Sequence, residues 1–165
     1  MPQLQFTYDQ LESLLIQPGD LPVGFAGGQI RDEVPAMFSE LPKPEVSIYQ
    51  QLAFKGEIAG GIALFICSDN DTAKKSFSII VSGFGQSEED DLYKRSVESV
   101  KTIGEQCAQV ISHALTPELL GVPLNDNGDL AFVRKSIVVH IRMVGTSDSI
   151  DLQTYAKRLD QRICK

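Results

Sequence analysis

Residues 130–163 constrain the fold more than any other stretch, because they join a sheet pattern, a turn and a helix pattern in one segment. In Ser136-Ile137-Val138-Val139-His140-Ile141-Arg142-Met143-Val144, β-branched residues dominate and alternate positions 137, 139, 141 and 143 are all apolar. That is the period-two signature of a strand with one face on a core. Ser136, His140 and Arg142 make the other face polar, but Val138 and Val144 interrupt it, so partial cover is expected there too. After Gly145 comes a polar loop in which Asp148, Ser149 or Asp151 is placed to cap a helix. In that helix Leu152, Tyr155, Ala156, Leu159 and Ile163 fall at i, i+3, i+4, i+7 and i+11, forming one stripe. A strand followed by a helix packed on it predicts an α+β domain.

Upstream, Thr7 and Gln10 are spaced as a capping box for a short helix through Leu11, Leu14 and Leu15, ended by Pro18-Gly19. A turn at Pro22 and Gly24 leads to an expected edge strand over 26–34, and Pro35, Pro42 and Pro44 predict a loop. Residues 46–54 and 58–67 read as a hairpin turning at Lys55-Gly56-Glu57. The second of these strands is almost wholly apolar or small, as suits a central strand, and Gly60-Gly61 would let another backbone come close. Ser68-Asp69-Asn70-Asp71 supplies caps for a helix over 71–82 with Ala73, Phe77, Ile80 and Val81 inward. A second helix is expected over 89–101 with Tyr93, Val97 and Val100 inward, and a strand over 106–114. Asn127-Gly128 predicts a type I′ turn, because both residues tolerate positive φ, ahead of core strands 130–134 and 136–144. This order excludes a regular βαβ repeat and predicts an antiparallel sheet with amphipathic helices.

With 165 residues, no repeats and no linker-like run, residues 1–165 are expected to form a single α+β domain. A chain of that size buries about 68–70% of its unfolded surface without staples. The net charge of −7 argues against non-specific nucleic-acid binding, which needs cations to replace the counterions of phosphate. It argues equally against docking on an anionic membrane. No apolar run approaches the ~20 residues that span a bilayer, so no integral membrane segment is expected in this chain. Cys67, Cys107 and Cys164 lack CxxC spacing, which disfavours structural zinc or a dithiol redox pair. Cys67 reads as a buried small hydrophobe and Cys164 as exposed.

Few residues point to chemistry. His113 and His140 have no acidic partner at metal spacing and read as structural or surface histidines. A Cys107–histidine pair would make a nucleophile and base, but the surrounding Gly104-Glu105-Gln106 matches no cysteine-hydrolase signature. Glu88-Glu89-Asp90-Asp91 reads as the acidic first turn of a helix rather than a calcium loop. Residues 125–129 lack the ligand order and distal Glu of a calcium loop and read as the hairpin turn. Gly27-Gly28 and Gly60-Gly61 lie in no nucleotide-binding motif. Tyr155 reads as core, and Arg158 and Arg162 as a solvated helix face. No catalytic, cofactor-binding or metal-binding residue is therefore assigned, and no cofactor is expected.

The segment Asp20-Leu21-Pro22-Val23-Gly24-Phe25 resembles the D-L-P-x-G-F opening of certain exported bacterial domains, often lipoproteins of unassigned function. The 136–144 strand with Tyr155-Ala156-x-x-Leu159-Asp160-x-Arg162-Ile163 is similar to their C-terminal strand–helix unit, and Ala73-Lys74-Lys75-Ser76-Phe77 to their middle helix. The resemblance implies a PsbP-like α/β/α sandwich, an antiparallel β-sheet with helices on both faces. That fold serves extrinsic photosystem proteins, envelope lipoproteins and a nuclear-transport GTPase-binding protein. It further implies an exported, non-catalytic binding or accessory module of the bacterial cell envelope, recognising a protein or a small apolar ligand. The matching motifs are structural, so no functional residue is carried over. The chain departs from the pattern in having no signal segment or lipobox cysteine at Met1-Pro2-Gln3-Leu4-Gln5-Phe6. The natural product is therefore expected to carry an export signal upstream and to work in a periplasmic or lumenal space after its removal. The competing expectations are a hydrolase using Cys107 or a histidine, and a cytoplasmic protein-interaction domain, since free cysteines are ordinary in the cytoplasm.

Overall fold

A computed structural model describes residues 8–17, 19–21, 23–84, 92–123, 125–144 and 152–165. Helix α1 (Tyr8–Leu14) is followed by strand β1 (Phe25–Arg31), a 3-10 turn (Ala36–Phe38), and the hairpin β2 (Val46–Phe54) and β3 (Glu57–Ile66). Helix α2 (Asn70–Ser82) leads to β4 (Tyr93–Ser99), β5 (Gln106–Ala114) and two short strands, β6 (Glu118–Leu119) and β7 (Val122–Pro123). The chain closes with β8 (Asn127–Arg134), β9 (Ile137–Val144) and α3 (Leu152–Cys164). Seven strands make one sheet in the order β1-β2-β3-β9-β8-β5-β4, every neighbouring pair antiparallel. The class is α+β. Among the described residues no helix is long and apolar enough to cross a membrane.

Side-chain alternation sorts the core into two clusters. Ile62, Leu64, Phe132, Val139 and Ile141 pack with Leu11 and Leu15 and with the α3 stripe Leu152, Tyr155, Ala156, Leu159 and Ile163. The intervening residues Ala63, Phe65, Ala131, Val133 and Val138 pack with Phe38 and with Ala73 and Ile80 of α2. Val138, one of the two valines that interrupt the polar face of β9, thus lies in the cluster that α2 covers. Asp69 caps α2, its Oδ1 accepting from Thr72 N at 2.7 Å, and Phe77 and Val81 are only partly buried.

Two expectations are corrected. The helix expected over 89–101 is instead strand β4, with residues 89–91 outside the described residues. Tyr93 and Val97 lie along the sheet's outer edge, Val97 52% exposed rather than inward, while Val100 just beyond the strand packs part-buried against the core. Charges at Lys94, Arg95 and Glu98 suit a strand that must not recruit another strand at its free edge. Those same charges conceal its alternation in sequence. Asn127 and Gly128 are not a turn either, since both are paired inside β8. A Cβ at Gly128 would meet Leu152 Cδ1 at 2.5 Å, so this glycine admits α3 close to the sheet. The capping positions Thr7, Asp148, Ser149 and Asp151 lie outside the described residues.

Arg158 and Arg162 are not simply solvated. Arg158 Nη1 donates to the Gly19 and Asp20 carbonyls at 3.0 and 2.8 Å, and Arg162 Nη1 donates to the Leu15 carbonyl at 3.0 Å. Arg162 Nη2 also donates to Asp20 Oδ1, clasping the segment after α1 onto α3. Asp160 fastens the other side of α3 by accepting from Arg134 Nε and Nη2 at 2.7 and 2.8 Å and from Gly104 N at 2.9 Å. Burial disfavours its charge, but the guanidinium and the N–H outweigh that and hold the carboxyl below the usual range. A carboxyl depressed in the fold stabilises above its unfolded value of about 3.9, and that contribution fades as pH falls through the folded value. Asp160→Asn is therefore expected to cost about 1.5–3 kcal/mol at pH 7, the range for hydrogen bonds to charged groups. Urea titrations at pH 7 and at successively lower pH should show that deficit shrinking below the unfolded pKa. A deficit independent of pH would refute the role.

Candidate functional site

The face that α2 covers changes character along the strands. Near the N-terminal end of β9 it carries Val138 against Val133 and Phe65. Two residues on is His140, flanked by Ala131 and Ala63, and the next row aligns Gly61, Arg142 and Asp129. The row beyond aligns Arg95, Ser112, Asn127 and Val144. Strand register thus gathers six polar or ionisable residues, from β4, β5, β8 and β9, on one side of the sheet.

Asp129 sits directly opposite Arg142 and diagonal to His140, within side-chain reach of both. Its Oδ1 accepts from His140 Nε2 at 3.0 Å, and both residues are buried. Arg142 Nη1 lies 3.5 and 3.4 Å from Asp129 Oδ1 and Oδ2. The His140 ring is held edge-on by Phe38 at 5.3 Å between centroids and approached by Phe84 at 6.2 Å. Arg95 Nε donates to Ser112 Oγ at 3.2 Å. The Tyr49 ring crosses Gly61, which has no Cβ to obstruct it. Burial pushes the Tyr49 phenol up, against the opposing pull of Arg31 and Arg142.

Two cavities open over this row. One, of about 200 Å³, is walled by Met37, Phe38, Leu41, Ile79, Ile80 and Phe84 and floored by Asp129, His140, Arg142, Ser112 and Arg95. The other, of about 260 Å³, lies between the 3-10 turn and β3, lined by Pro35, Tyr49, Ile58, Gly60 and Gly61. Met37, Phe38, His140 and Arg142 border both. Buried charge costs stability unless paired. A paired carboxylate and imidazole beneath apolar walls make a pocket that orients a ligand by a few polar groups.

Of the residues weighed in the sequence as candidate sites, His140, the second glycine pair and, from the 125–129 segment, Asn127 and Asp129 reach this site. His113 faces the other side of the sheet, exposed, with Nδ1 3.1 Å from Asp126 Oδ2, and Asp126 Oδ1 accepts from Ala114 N at 2.7 Å. Each histidine thus has a carboxylate partner that spacing did not reveal. Cys107 is buried among the α3-side core, and its thiol is pushed up to about 12 by burial and the Asp160 carboxylate. His140 faces away from it, and His113 lies six residues along the same strand, about 20 Å at the usual strand rise. Cys107 and a histidine therefore form no dyad. Ser112 stands two strands away from His140 and four residues out of register, too far for a Ser–His dyad. Gly27 and Gly28 serve packing: Gln50 Nε2 donates to the Gly28 carbonyl at 3.2 Å, and its Oε1 accepts from Ile16 N at 3.2 Å. Tyr155 is core, its buried hydroxyl without a partner among the described residues. Glu88, Glu89, Asp90 and Asp91 lie outside the described residues. Among the described residues no three His, Cys, Asp or Glu side chains converge as metal ligands, and all three cysteines are free.

Sequence reading missed Asp129, Arg142, Arg95 and Ser112 as a group. A signal did exist. Asp129 begins the apolar run Leu130-Ala131-Phe132-Val133, where a carboxylate is out of place unless something pairs it.

No family model matches the chain, and no curated protein matches it. A solved structure similar to it is the extracellular domain of PknH from Mycobacterium tuberculosis. The match covers 97% of this chain and 98% of that one, with a TM-score of 0.63 and 12% identity. At that identity the likeness is one of fold.

Proposed function

We propose that this chain is an exported, non-catalytic binding module that takes a small, largely apolar ligand in the cavity over His140, Asp129 and Arg142. The observation that carries the reading is a buried, paired Asp129–His140 under the apolar walls of Phe38, Phe84 and Ile80, with neither Cys107 nor Ser112 in reach of a histidine. Costly buried ionic groups at the floor of a pocket fit ligand orientation. The architecture proposed is the PsbP-like α/β/α sandwich, with α1 and α3 on one face and α2 on the other, consistent with the two core clusters. Export is supported by likeness of fold to an extracellular domain and by the D-L-P-x-G-F opening. A protein partner is the second reading, favoured by the β6–β7 hairpin, where Leu120 is 97% exposed and Leu115, Leu119 and Val122 are exposed with it.

The test pairs binding with turnover. In an NMR screen against small apolar compounds, amide shifts are expected at His140, Ile80 and Ser112. Shifts confined to residues 115–123 would favour the partner reading instead. Panels of ester, phosphate and peptide substrates should give no turnover that depends on Cys107, His113 or His140. Hydrolysis abolished by Cys107→Ser, His113→Ala or His140→Ala would overturn the non-enzyme reading.

A further inference from the structure

We infer that the ligand of this cavity is a single-chain amphiphile with an anionic head, the head paired with Arg142 and the tail against Phe38 and Phe84. This rests on the binding-cavity reading above and adds the ligand's chemical class. The first support is how loosely Arg142 is held. Its contacts to Asp129 run through Nη1 alone at 3.4–3.5 Å, whereas Arg134 grips Asp160 through two nitrogens at 2.7 and 2.8 Å. A guanidinium–carboxylate pair at full strength sits near ~2.7–2.9 Å and is often forked. Asp129 is committed to His140 at 3.0 Å, so it positions Arg142 without consuming its fork. The Arg142 side chain is 44% exposed at the border of both cavities, where a second oxyanion can reach it.

Charge and shape agree. The chain carries 22 acidic against 15 basic residues, yet the cavity walled by Phe38 and Phe84 is lined by Arg95 and Arg142 against Asp129 alone. A cationic head would meet that guanidinium, and a neutral head would bring no second anion to its fork beyond Asp129. Met37 and Ile79, at 62% and 38% exposure, are apolar groups left in water at the lip that a tail would cover. The Phe38–Phe84 cavity of about 200 Å³ compares with the ~150 Å³ that holds the six carbons of a benzene ring, so it seats about eight carbons of a tail, the rest lying over Met37 and Ile79 at the lip.

The test is calorimetry and amide NMR on the folded chain with three probes below their micelle concentrations: decanoate, decanol and decyltrimethylammonium. Decanoate is expected to bind at least about tenfold more tightly than decanol, as for a charge-assisted hydrogen bond. Arg142→Gln should remove that advantage while leaving decanol affinity within about twofold, the scatter tolerated for a site that otherwise keeps its contacts. Arg142→Lys, which keeps the charge and guards against a folding defect, should retain part of it. Lys94→Gln, on the opposite face of the sheet, should change neither. Equal binding of decanoate and decanol, a preference for the cation, or equal losses for both probes in Arg142→Gln would overturn the anionic-head inference and leave the cavity reading standing. Absence of binding by all three probes, with no shift at His140 or Ile80, would defeat the cavity reading itself.

Discussion

Gly60→Ala is expected to destabilise the protein by about 2–6 kcal/mol, from backbone strain and overpacking that each cost roughly 1–3 kcal/mol. Gly60 adopts φ +134°, a region that L side chains rarely enter, and a Cβ there would collide with the Arg142 carbonyl, which is backbone and cannot swing aside. The β2–β3 register shifts between Leu52 and Ala53, opposite this position, so the chain bends where β9 presses closest. Gly56→Ala is the control: φ is +83° but nothing lies within 4 Å of the added carbon, leaving strain alone. Urea unfolding of both variants separates the two costs. A Gly60→Ala loss no greater than that of Gly56→Ala would show that the close approach to β9 is not what the glycine provides. Because Gly60 and Arg142 line the same cavity, ligand affinity should fall along with stability in Gly60→Ala.

Truncating Leu159 to alanine should cost about 2–5 kcal/mol, the transfer free energy of the lost carbons plus that of the cavity left behind. Leu159 has no exposed surface and lies mid-stripe in α3, between the Arg134–Asp160 grip and the Arg162 clasp, so its surroundings have little freedom to collapse. For a chain of this length a loss of 1 kcal/mol lowers the melting temperature by roughly 2–4 °C, which puts the expected drop at about 4–20 °C. A loss under about 0.5 kcal/mol would mean that α3 does not dock as described, because buried leucine truncations cost several times that.

Where each element became legible follows from the range of its signal. The α3 stripe, the β2–β3 hairpin and the apolar face of β9 repeat within a few residues, and their burial follows the pattern read from sequence. Strand β4 was missed because an edge strand has little burial to advertise, and its polar residues Lys94, Arg95, Ser96, Glu98 and Ser99 fit a helix surface equally well. Asn127-Gly128 misled for a different reason. A dipeptide that permits a turn does not require one, and Gly128 was needed to let Leu152 approach the sheet.

The amino-acid pattern alone determined an α+β class, the identity of the α3 core residues and the acidity of the surface, because burial periodicity and net charge are local or summed properties. Only the tertiary structure decided the site. Asp129, His140 and Arg142 come together because β8 and β9 pair in one register, and the walls that make a pocket above them arrive from the 3-10 turn and α2, far away in sequence. A slip of one residue in that pairing would turn those side chains toward the α3 face, since strand side chains alternate with a period of two.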